Sequence, residues 1–434
     1  MRLRPLLVLP LLAVVTLLVP PASAAGTPTG PDVSKYQHDT GQPIDWQAVK
    51  ASGQSFAFIK ASGHHDRVDP WFDREWAAAG KAGMIRGAYH YADPSSSADA
   101  QSDLVVKTVG TTREAGNLGI ALDLESTGGL NPTQLAAWAH AFLDGVERRT
   151  GRVPLLYTYV SFWQNQMANN RSFGVYPLWL ARYGPRPAPL AGWTQWTFWQ
   201  HSSTSRLPGI PGYVDLNVMC CSAGTLAALA DGRSVEITKL WRKLGGASGA
   251  LGLPLGPESP VADGWEQAFQ HGMVATTKAH GTHAVLPPIY DGYRTATRIG
   301  VPIDDAQELG FGVVSQSFTG GLILYAPSVG AHSIQPPMLA RWRQDGGLRS
   351  QEGLPTTEAR TVSQQYRGGG LYQTKTGVHL VPGAIRDRYE ELGGPSSALG
   401  LPASEATLVA GARAVSFDVG SLVELTVAGH TVVV

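Results

Sequence analysis

The sequence predicts an α/β fold, an irregular (β/α)8 TIM-like barrel, followed by a β-rich repeat region. Two observations give this division. Between residues 30 and 222, apolar runs of strand length alternate with helical patterns, which is typical of parallel strands joined by helical crossovers. Between residues 237 and 434, short motifs recur about every 50 residues, which is typical of repeat architectures. Residues 223–236 are expected to form the linker between the two parts.

The first 24 residues have the features of a secretory signal peptide. Two arginines precede an apolar run over residues 6–19, and a small-residue A-x-A site ends at Ala24. The run is too short for a comfortable bilayer span of about 20 residues. We therefore expect export with cleavage near Ala24 and no stable membrane span. The mature product is expected to be secreted, either extracellular or associated with the cell envelope.

Composition excludes several classes of function. Lys+Arg and Asp+Glu both number 34, so no overall basic field is present to hold nucleic acid. The sequence contains no zinc-protease HExxH, phosphate-binding glycine loop or Gly-x-Ser-x-Gly elbow, and we expect neither cofactor nor metal. The two cysteines, Cys220 and Cys221, are adjacent. A bond between neighbours is strained, so they are expected to be a pair of buried thiols.

Eight candidate strands carry the predicted barrel: Asp32–Tyr36, Ser55–Ala61, Ile85–Ala92, Leu118–Glu125, Val153–Tyr159, Tyr176–Arg182, Thr197–Ser202 and Tyr213–Met219. Helical patterns lie between the early ones, near residues 70–82, 97–109, 132–150 and 160–169. Asn131 and Pro132 predict the start of the third helix, as a cap and a first-turn residue. The last three strands are joined by links too short for helices. That side of the barrel is therefore expected to be irregular or partly antiparallel.

Two carboxylates lie at the end of the fourth candidate strand, in the segment LGIALDLES. Asp123 and Glu125 are two residues apart and therefore point to the same face of a strand. The working face of a parallel α/β barrel lies at the C-terminal strand ends. Two close carboxylates there raise the proton affinity of one of them, which gives the acid and the base or nucleophile that glycoside hydrolysis needs. A capping or ion-pair role is the structural alternative.

Two further acids belong to strands that a closed barrel brings together. Asp32 lies at the first strand and Asp215 interrupts the apolar last strand. Burying unpaired charge is costly, so four convergent acids indicate a site. Lys60 could offset part of that charge through a structural ion pair, or it could contact substrate.

Aromatic and amide side chains near the strand ends are the candidate substrate-binding residues. Strand alternation means that about half of such a set must face the helices instead. The set comprises Tyr89, Tyr91, Tyr157, Trp179, Trp199 and Gln200. His90 is expected to be a buried structural histidine.

The strand motifs DVSKYQ, FAFIKAS, GAYHYA, ALDLE, LYTYVSFW, LWLARY, FWQHSS and YVDLN occur in this order. Together, over about residues 30–222, they resemble glycoside hydrolase family 25, the N-acetylmuramidase type of lysozyme. The resemblance implies cleavage of the β-1,4 bond between N-acetylmuramic acid and N-acetylglucosamine in peptidoglycan. It implies that Glu125 is the general acid, that Asp123 is its partner, and that Asp32 and Asp215 line the same site.

The sequence departs from the family pattern at one place. Many members continue the second strand as Lys-Ala-Thr-Glu-Gly, whereas this chain has Lys-Ala-Ser-Gly at residues 60–63, which puts substrate contacts near that loop in doubt. We expect retention of configuration. Asp123 then acts either as the nucleophile or as the group that orients an attacking substrate acetamido group.

The C-terminal half contains four units. Gly-x-Pro motifs begin at Leu251, Ile299, Glu352 and Leu399, with spacings of 48, 53 and 47 residues. An aromatic residue shortly before a glycine keeps step with them, and an aromatic before Gly-Gly does so in three of the four units. The units resemble LGFP repeats, which implies attachment to arabinogalactan or mycolate-bearing envelope layers. We expect a propeller-like ring, with a solenoid as the alternative. The repeats could also act only as a spacer.

The sequence is therefore compatible with three functions. The first is a secreted peptidoglycan muramidase with an envelope-binding repeat region. The second is a wall-binding or scaffolding protein whose barrel has lost turnover, which the intact Asp123 and Glu125 pair disfavours. The third is a hydrolase of another amino-sugar polymer, such as a chitin-like glycan.

Overall fold

The structure is a computed structural model that describes residues 26–231, 235–427 and 430–434. The predicted signal peptide lies outside these residues. Within the described chain, no helix is both long enough and apolar enough to cross a bilayer.

One closed sheet forms the first part of the chain. It contains the strands β1 (Thr29–Val33), β2 (Phe56–Gly63), β3 (Arg67–Val68), β4 (Ile85–Tyr91), β5 (Ala121–Asp123), β6 (Leu155–Tyr159), β7 (Leu178–Ala181), β8 (Phe198–Ser205) and β9 (Val214–Met219). Eight of them follow one another around a barrel in the order β1-β9-β8-β7-β6-β5-β4-β2, and pairing of β1 with β2 closes it. The short β3 extends β2 as an outer hairpin.

In the described part of the chain, six helices accompany the barrel: α1 (Trp46–Ala51), α2 (Phe72–Lys81), α3 (Ala98–Val109), α4 (Pro132–Thr150), α5 (Val160–Asn165) and α6 (Ala223–Leu229). The predicted start of α4 is confirmed. Asn131 accepts the backbone N–H of Gln134, and the Gln134 side chain accepts the backbone N–H of Asn131. Gly151 ends this helix in the left-handed region, at φ 69°.

The irregular side of the barrel is formed by β9, which runs antiparallel to both of its neighbours, β1 and β8. The other barrel pairs are parallel. The predicted partly antiparallel side is thus confirmed. The first strand begins three residues before its predicted start and ends at Val33. Ser34 then caps a short 3-10 turn over Lys35–His38.

Aromatic side chains fill the barrel interior. Phe56, Phe58 and Phe198 pack against one another with ring centroids 5.0–5.8 Å apart. Gly87 permits this packing, since a Cβ there would lie 2.3 Å from a ring carbon of Phe58. Helix α6 adds Leu226 to the same cluster, together with Ala230 after it. Half of the predicted linker is therefore a packed helix that covers the base of the barrel.

The two cysteines are joined by a disulfide, so the expectation of buried free thiols is wrong. Strand β9 has already ended at Met219, and α6 begins at Ala223. The side chains of Cys220 and Cys221 lie in the turn between them, where the alternation of a strand no longer sends neighbours to opposite faces.

Four antiparallel sheets follow the barrel, and each contains three or four strands. Their strands are β10 (Ser259–Val261), β11 (Gly264–Phe269), β12 (Gly272–Thr277) and β13 (Gly281–Val285); β14 (Gln307–Gly310), β15 (Val313–Phe318), β16 (Gly321–Ala326) and β17 (Gly330–Ile334); β18 (Ser363–Tyr366), β19 (Gly369–Gln373) and β20 (Val378–Pro382); and β21 (Thr407–Val409), β22 (Ala412–Ser416), β23 (Ser421–Val427) and β24 (His430–Val433). One helix precedes each sheet: α7 (Val235–Lys243), α8 (Ile289–Thr295), α9 (Met338–Gln344) and α10 (Gly383–Glu391).

The sequence landmarks of the repeats contact one another in the structure. The proline of each Gly-x-Pro motif makes a β-bridge to the strand aromatic of its unit, as Pro254 does to Phe269. The aromatic before Gly-Gly donates to the carbonyl of the Gly-x-Pro glycine, as in the 2.7 Å bond from Trp241 Nε1 to Gly252. Trp342 and Tyr389 make the equivalent bonds. The second unit lacks Gly-Gly, and its Tyr293 stacks on Phe318 instead.

Each unit completes its core with its neighbour. The helix between two sheets packs on both of them, so that Met338, Leu339 and Trp342 of α9 lie between Leu322 of β16 and Leu371 of β19. The hydrophobic clusters of the described repeat residues join units that are adjacent in sequence. Histidine–carboxylate pairs link the same neighbours at Nδ1–O distances of 2.8–3.3 Å: His283 with Asp305, His332 with Glu358, and His379 with Glu405.

Candidate active site

The candidate site lies inside the barrel at the end where the parallel strands terminate. Strand register sets its composition, because Asp123 of β5 lies opposite Tyr91 of β4 and Tyr157 of β6. Asp32 of β1 lies opposite Asp215 of β9. Since β9 is antiparallel, its first residues reach the same rim as the last residues of the other strands. The four predicted acids therefore line one cavity of about 330 Å³.

Asp32 and Asp215 form the first carboxyl pair. Asp32 is 7% exposed, and its Oδ2 accepts hydrogen bonds from Gln200 Nε2 and Asn217 Nδ2, both at 2.9 Å. Burial, followed by the charge of Asp215, raises the pKa of Asp32 to about 8, while the two amide donors act in the opposite direction. Burial also raises the pKa of Asp215, and its hydrogen bond with Asp32 opposes that rise. Burial is the main cause of both shifts, and both favour a proton held by this carboxyl pair.

Asp123 and Glu125 form the second carboxyl pair, and both side chains line the cavity as the i,i+2 spacing predicts. Leu124 between them is fully buried in the cluster outside the sheet. Burial, followed by the charge and hydrogen bonding of Glu125, raises the pKa of Asp123 well above its usual range. Asp123 Oδ1 is buried without a donor among the described residues, so a proton held between the two carboxyls would satisfy it.

The predicted cation, Lys60, and all three predicted tyrosines surround these carboxyls. Lys60 Nζ lies 4.8 Å from the ring centre of Tyr91 and 5.9 Å from that of Tyr89, and its charge lowers the proton affinity of Asp123. Burial, followed by the nearby acids, raises the pKa of Tyr89 and of Tyr157 well above 10. These phenols therefore stay neutral, and a neutral hydroxyl can donate a hydrogen bond, as that of Tyr157 does to Gln200.

Trp179 and Gln200 line the same cavity, and packing and hydrogen bonds to neighbouring barrel residues fix their side chains. Trp179 is 1% exposed, stacks on Phe58 with ring centres 4.0 Å apart, and donates Nε1 to Asn217 at 2.6 Å. Gln200 donates to Asp32 and accepts the hydroxyl of Tyr157 at 3.0 Å. We interpret both as groups that position the carboxyls.

The structure does not bring Trp199 to the cavity. Its indole lies on the outer face of β8, 5.8 Å from the ring of Trp196, and donates to the carbonyl of Arg182. The expectation of substrate binding for Trp199 is thus not supported by its position. His90 also faces outward, between Ser62 and Gln101, and burial lowers its pKa to about 4, as suits a neutral structural histidine.

Two further cavities continue the central one and make a groove across the rim. On one side, a cavity of about 610 Å³ shares Glu125 and Tyr157 with the centre and adds Tyr159 and Tyr183. On the other side, a cavity of about 620 Å³ shares Tyr36, Lys60 and Tyr91. Glu125 is the one candidate acid that borders both the central cavity and the first of these.

Sequence reasoning missed tyrosines of this groove, among them Tyr36, Tyr159 and Tyr183, and it missed Asn217, which is buried behind the central cavity. Asn217 lies two residues after Asp215 and so shares its strand face, a signal that was present. Tyr183 lies two residues after the end of β7 and is 56% exposed, with its hydroxyl 3.2 Å from Gln200. Tyr36 is 67% exposed on the turn after β1, where strand alternation no longer indicates the direction of a side chain.

Comparison with known proteins matches residues 31–210 to glycosyl hydrolases family 25 and residues 251–297, 299–350 and 353–397 to the LGFP repeat. The chain is similar to lysozyme M1 of Streptomyces globisporus, with 37% identity over 49% of this chain and 74% of that protein. It is also similar to an N,O-diacetylmuramidase of Arthroderma benhamiae, with 36% identity over 43% of this chain and 81% of that protein. A solved lysozyme of Streptomyces coelicolor is 36% identical over 48% of this chain and 99% of its own, with a TM-score of 0.46.

The closed barrel and these relatives define the class: the protein is a glycoside hydrolase. More narrowly, the chain belongs to glycosyl hydrolase family 25, and LGFP repeats follow its barrel.

Proposed function

We propose that the barrel cleaves the β-1,4 bond between N-acetylmuramic acid and N-acetylglucosamine in peptidoglycan. The position of Glu125 carries this proposal. Its half-buried carboxyl borders two adjoining cavities of the groove, each lined by tyrosines on which sugar rings can stack. A glycosidic oxygen at that boundary lies next to the one acid that reaches both sides. Similar proteins carry the names lysozyme and N,O-diacetylmuramidase, which supports the choice of polymer.

In this proposal Glu125 protonates the leaving-group oxygen and later deprotonates the attacking water. The proton of the Asp123–Glu125 pair supplies the first step, because Asp123 lies within hydrogen-bond reach of Glu125. Asp123 lies deeper in the central cavity. There it either attacks the anomeric carbon or holds the acetamido group of the substrate while that group attacks. Both routes retain configuration at the anomeric carbon.

Asp32 and Asp215 contribute to the electrostatics of the same cavity. A neutral Asp32 leaves Asp215 as the charged member of its pair. A negative group opposite the reacting carbon stabilises the positive charge that develops on the sugar ring in the transition state. This role requires no bond between Asp215 and substrate.

Turbidity loss of purified peptidoglycan tests the assignment of the acid. We expect Glu125→Gln and Asp123→Asn each to lower the rate by about 10²-fold or more, because a general acid–base residue contributes about 10²–10⁴-fold. Glu114→Gln is the matched control, since Glu114 is an exposed acid on the loop before β5 and lies outside the groove. Unchanged activity of Glu125→Gln would exclude the proposed acid, and equal cleavage of chitin oligomers would favour the wider amino-sugar substrate.

Product stereochemistry tests the mechanism separately. Proton NMR of a muramyl oligosaccharide during early hydrolysis is expected to show the β-anomer first. An initial α-anomer would exclude both the covalent nucleophile and the acetamido route.

We also propose that the four repeat units bind the cell envelope, with arabinogalactan or a mycolate-bearing layer as the partner, and that the chain is exported after cleavage near Ala24. Binding of the full chain to purified envelope, lost when arabinogalactan is removed, tests the first part. N-terminal sequencing of the protein from culture medium tests the second. A propeller-like closure of the repeats stays a prediction, which small-angle scattering of the full chain would distinguish from an extended solenoid.

A further inference from the structure

Between the second and third repeat units lies a cleft of about 670 Å³ that is separate from the barrel groove. Its charged lining consists of two arginines, Arg298 from the second unit and Arg360 from the third. Its polar lining is completed by Thr297, Gln335, Thr361 and Gln373. No acid lines it. We propose that this cleft binds an anionic group, a carboxylate or a phosphate, of an envelope polymer.

The two arginines have no partner that explains them. Neither makes an ion pair with a carboxylate in the described part of the chain, and both side chains are exposed. Glu358 lies only two residues before Arg360, but it does not pair with that arginine. Its carboxylate is hydrogen-bonded to His332 and accepts the backbone N–H and the hydroxyl of Ser333. Two uncompensated guanidinium groups that line one cleft repel each other, and a bound anion relieves that repulsion.

The backbone around the cleft is held by local bonds. Gln335 Nε2 donates to the carbonyl of Thr297 at 2.6 Å, and this links the two edges of the second unit. Arg360 N donates to the carbonyl of Ser363 at 2.8 Å, so the hairpin that carries Arg360 is closed. Arg298 has a left-handed backbone, with φ of 59°. A non-glycine residue in that region is a strained choice that needs a reason.

The other units do not repeat these arginines. The residue before the Gly-x-Pro motif is Ala250, Gln351 and Ala398 in the first, third and fourth units. In the second, third and fourth units, an acid pairs with a histidine of the unit before it. Two positions after that acid, the third unit has Arg360, the second has Gln307 and the fourth has Thr407. A role in the repeat fold would be expected in every unit. The arginines therefore serve this one cleft.

The inference deepens the binding role proposed for the repeats and is independent of hydrolysis by the barrel. The test uses the full chain and three matched surfaces: dextran, carboxymethyl dextran and phosphorylated dextran. We expect retention on at least one anionic surface, weakened by salt. Preference for one of the two identifies carboxylate or phosphate. The Arg298→Ala/Arg360→Ala double variant is expected to bind that surface at least about tenfold more weakly.

A matched double variant, Arg294→Ala/Arg349→Ala, removes the same charge from exposed arginines of the repeats outside the cleft. We expect it to change binding by less than about twofold. Equal loss in the two doubles, or wild-type binding to plain dextran at the same strength, would overturn the proposal. Thermal unfolding and turbidity activity of both doubles should match wild type, which separates lost binding from lost folding.

Purified envelope distinguishes this inference from the wider proposal. If wild type binds envelope and both double variants bind it equally well, the role of the cleft is refuted. The wider proposal that the repeats bind envelope would still stand. If wild type fails to bind envelope yet binds an anionic dextran through Arg298 and Arg360, the proposed envelope attachment fails and the anion site stands.

Discussion

Asn217 holds Asp32 from within the barrel wall. Its Nδ2 donates to Asp32 Oδ2 at 2.9 Å and to the carbonyl of Gly30 at 3.1 Å, while its Oδ1 accepts Trp179 Nε1 at 2.6 Å. The side-chain amide is fully buried, and both its nitrogen and its oxygen form hydrogen bonds. It therefore fixes the orientation of the carboxyl group that lies opposite Asp215.

Replacement of Asn217 by alanine is expected to misplace Asp32 and to leave the Trp179 N–H without its acceptor. We expect kcat to fall by about tenfold to 10²-fold with little change in KM, because positioning acts on the reacting groups rather than on distant sugar contacts. The free energy of unfolding should fall by about 1–3 kcal/mol. Asn165→Ala, on the exposed end of α5, is the control and should leave both quantities near wild type. A change confined to KM would argue against positioning.

Asp32 is expected to lower stability as the pH rises. Its folded-state pKa of about 8 lies above the unfolded value near 3.8, so the folded state binds the proton more tightly. The resulting stabilisation is fully present below about pH 4 and is lost as the pH rises towards 8. Asp32→Asn, whose amide oxygen can still accept from Gln200 and Asn217, should therefore be more stable than wild type at pH 8.

The expected gain of Asp32→Asn at pH 8 is roughly 2 kcal/mol or more, since one pKa unit corresponds to about 1.4 kcal/mol. Chemical denaturation at pH 4.5 and pH 8 measures it, and the difference from wild type should grow with pH. The same change at the exposed Asp39 supplies the comparison, for which no growth is expected. A constant difference at both pH values would contradict the burial of charge at Asp32.

The link that His332 makes between the second and third repeat units should also depend on pH. His332 Nδ1 faces Glu358, and its Nε2 faces the carbonyl of Val329 at 2.9 Å, so the doubly protonated ring satisfies both acceptors. The hydrogen bond with Glu358 is the main cause that raises the pKa of His332. The stabilisation is therefore present below about pH 6.5 and is lost as the pH rises through the higher folded-state pKa.

His332→Gln should lower the unfolding free energy of the repeats by about 1 kcal/mol at pH 5.5 and by only a few tenths at pH 9. Denaturant midpoints at the two pH values provide the measurement. His280→Gln, at an exposed position, should show no such trend. A larger effect at pH 9 than at pH 5.5 would mean that His332 is linked as a neutral ring.

Removal of one hydroxyl tests the hydrogen bond between the aromatic residue before Gly-Gly and the glycine of the Gly-x-Pro motif. Tyr389 is fully buried and donates its hydroxyl to the carbonyl of Gly400, whereas Tyr293 of the second unit makes no such bond among the described residues. Tyr389→Phe is expected to reduce stability by about 1–2 kcal/mol. Tyr293→Phe should change it by less than about 0.5 kcal/mol. Equal effects in thermal denaturation would show that packing, not the hydrogen bond, joins the landmarks.

Local patterns predicted the barrel well where one chemical rule was sufficient. The i,i+2 spacing placed Asp123 and Glu125 in one cavity, and the short links predicted the antiparallel side at β9. The same rule shows why Trp199 and Gln200 could not both face that cavity, since they are adjacent on β8. The sequence alone does not say which of the two points inward.

Other features depend on three-dimensional placement. The bond between Cys220 and Cys221 needs the turn after β9, and the packing of α6 beneath the barrel needs the open end that it fills. The histidine–carboxylate links join residues 22–26 positions apart in neighbouring units, so they become visible only when the units are stacked.

The groove across the barrel rim passes Glu125 and reaches exposed side chains on both sides, Asp66 and Arg67 at one end and Ser161 and Gln164 at the other. Because these described side chains are exposed, a polymer in the groove can extend past them in both directions. A long strand can therefore lie across the barrel and be cut at an interior linkage. Under the proposed function, such endo-acting scission would need no free chain end in an intact wall.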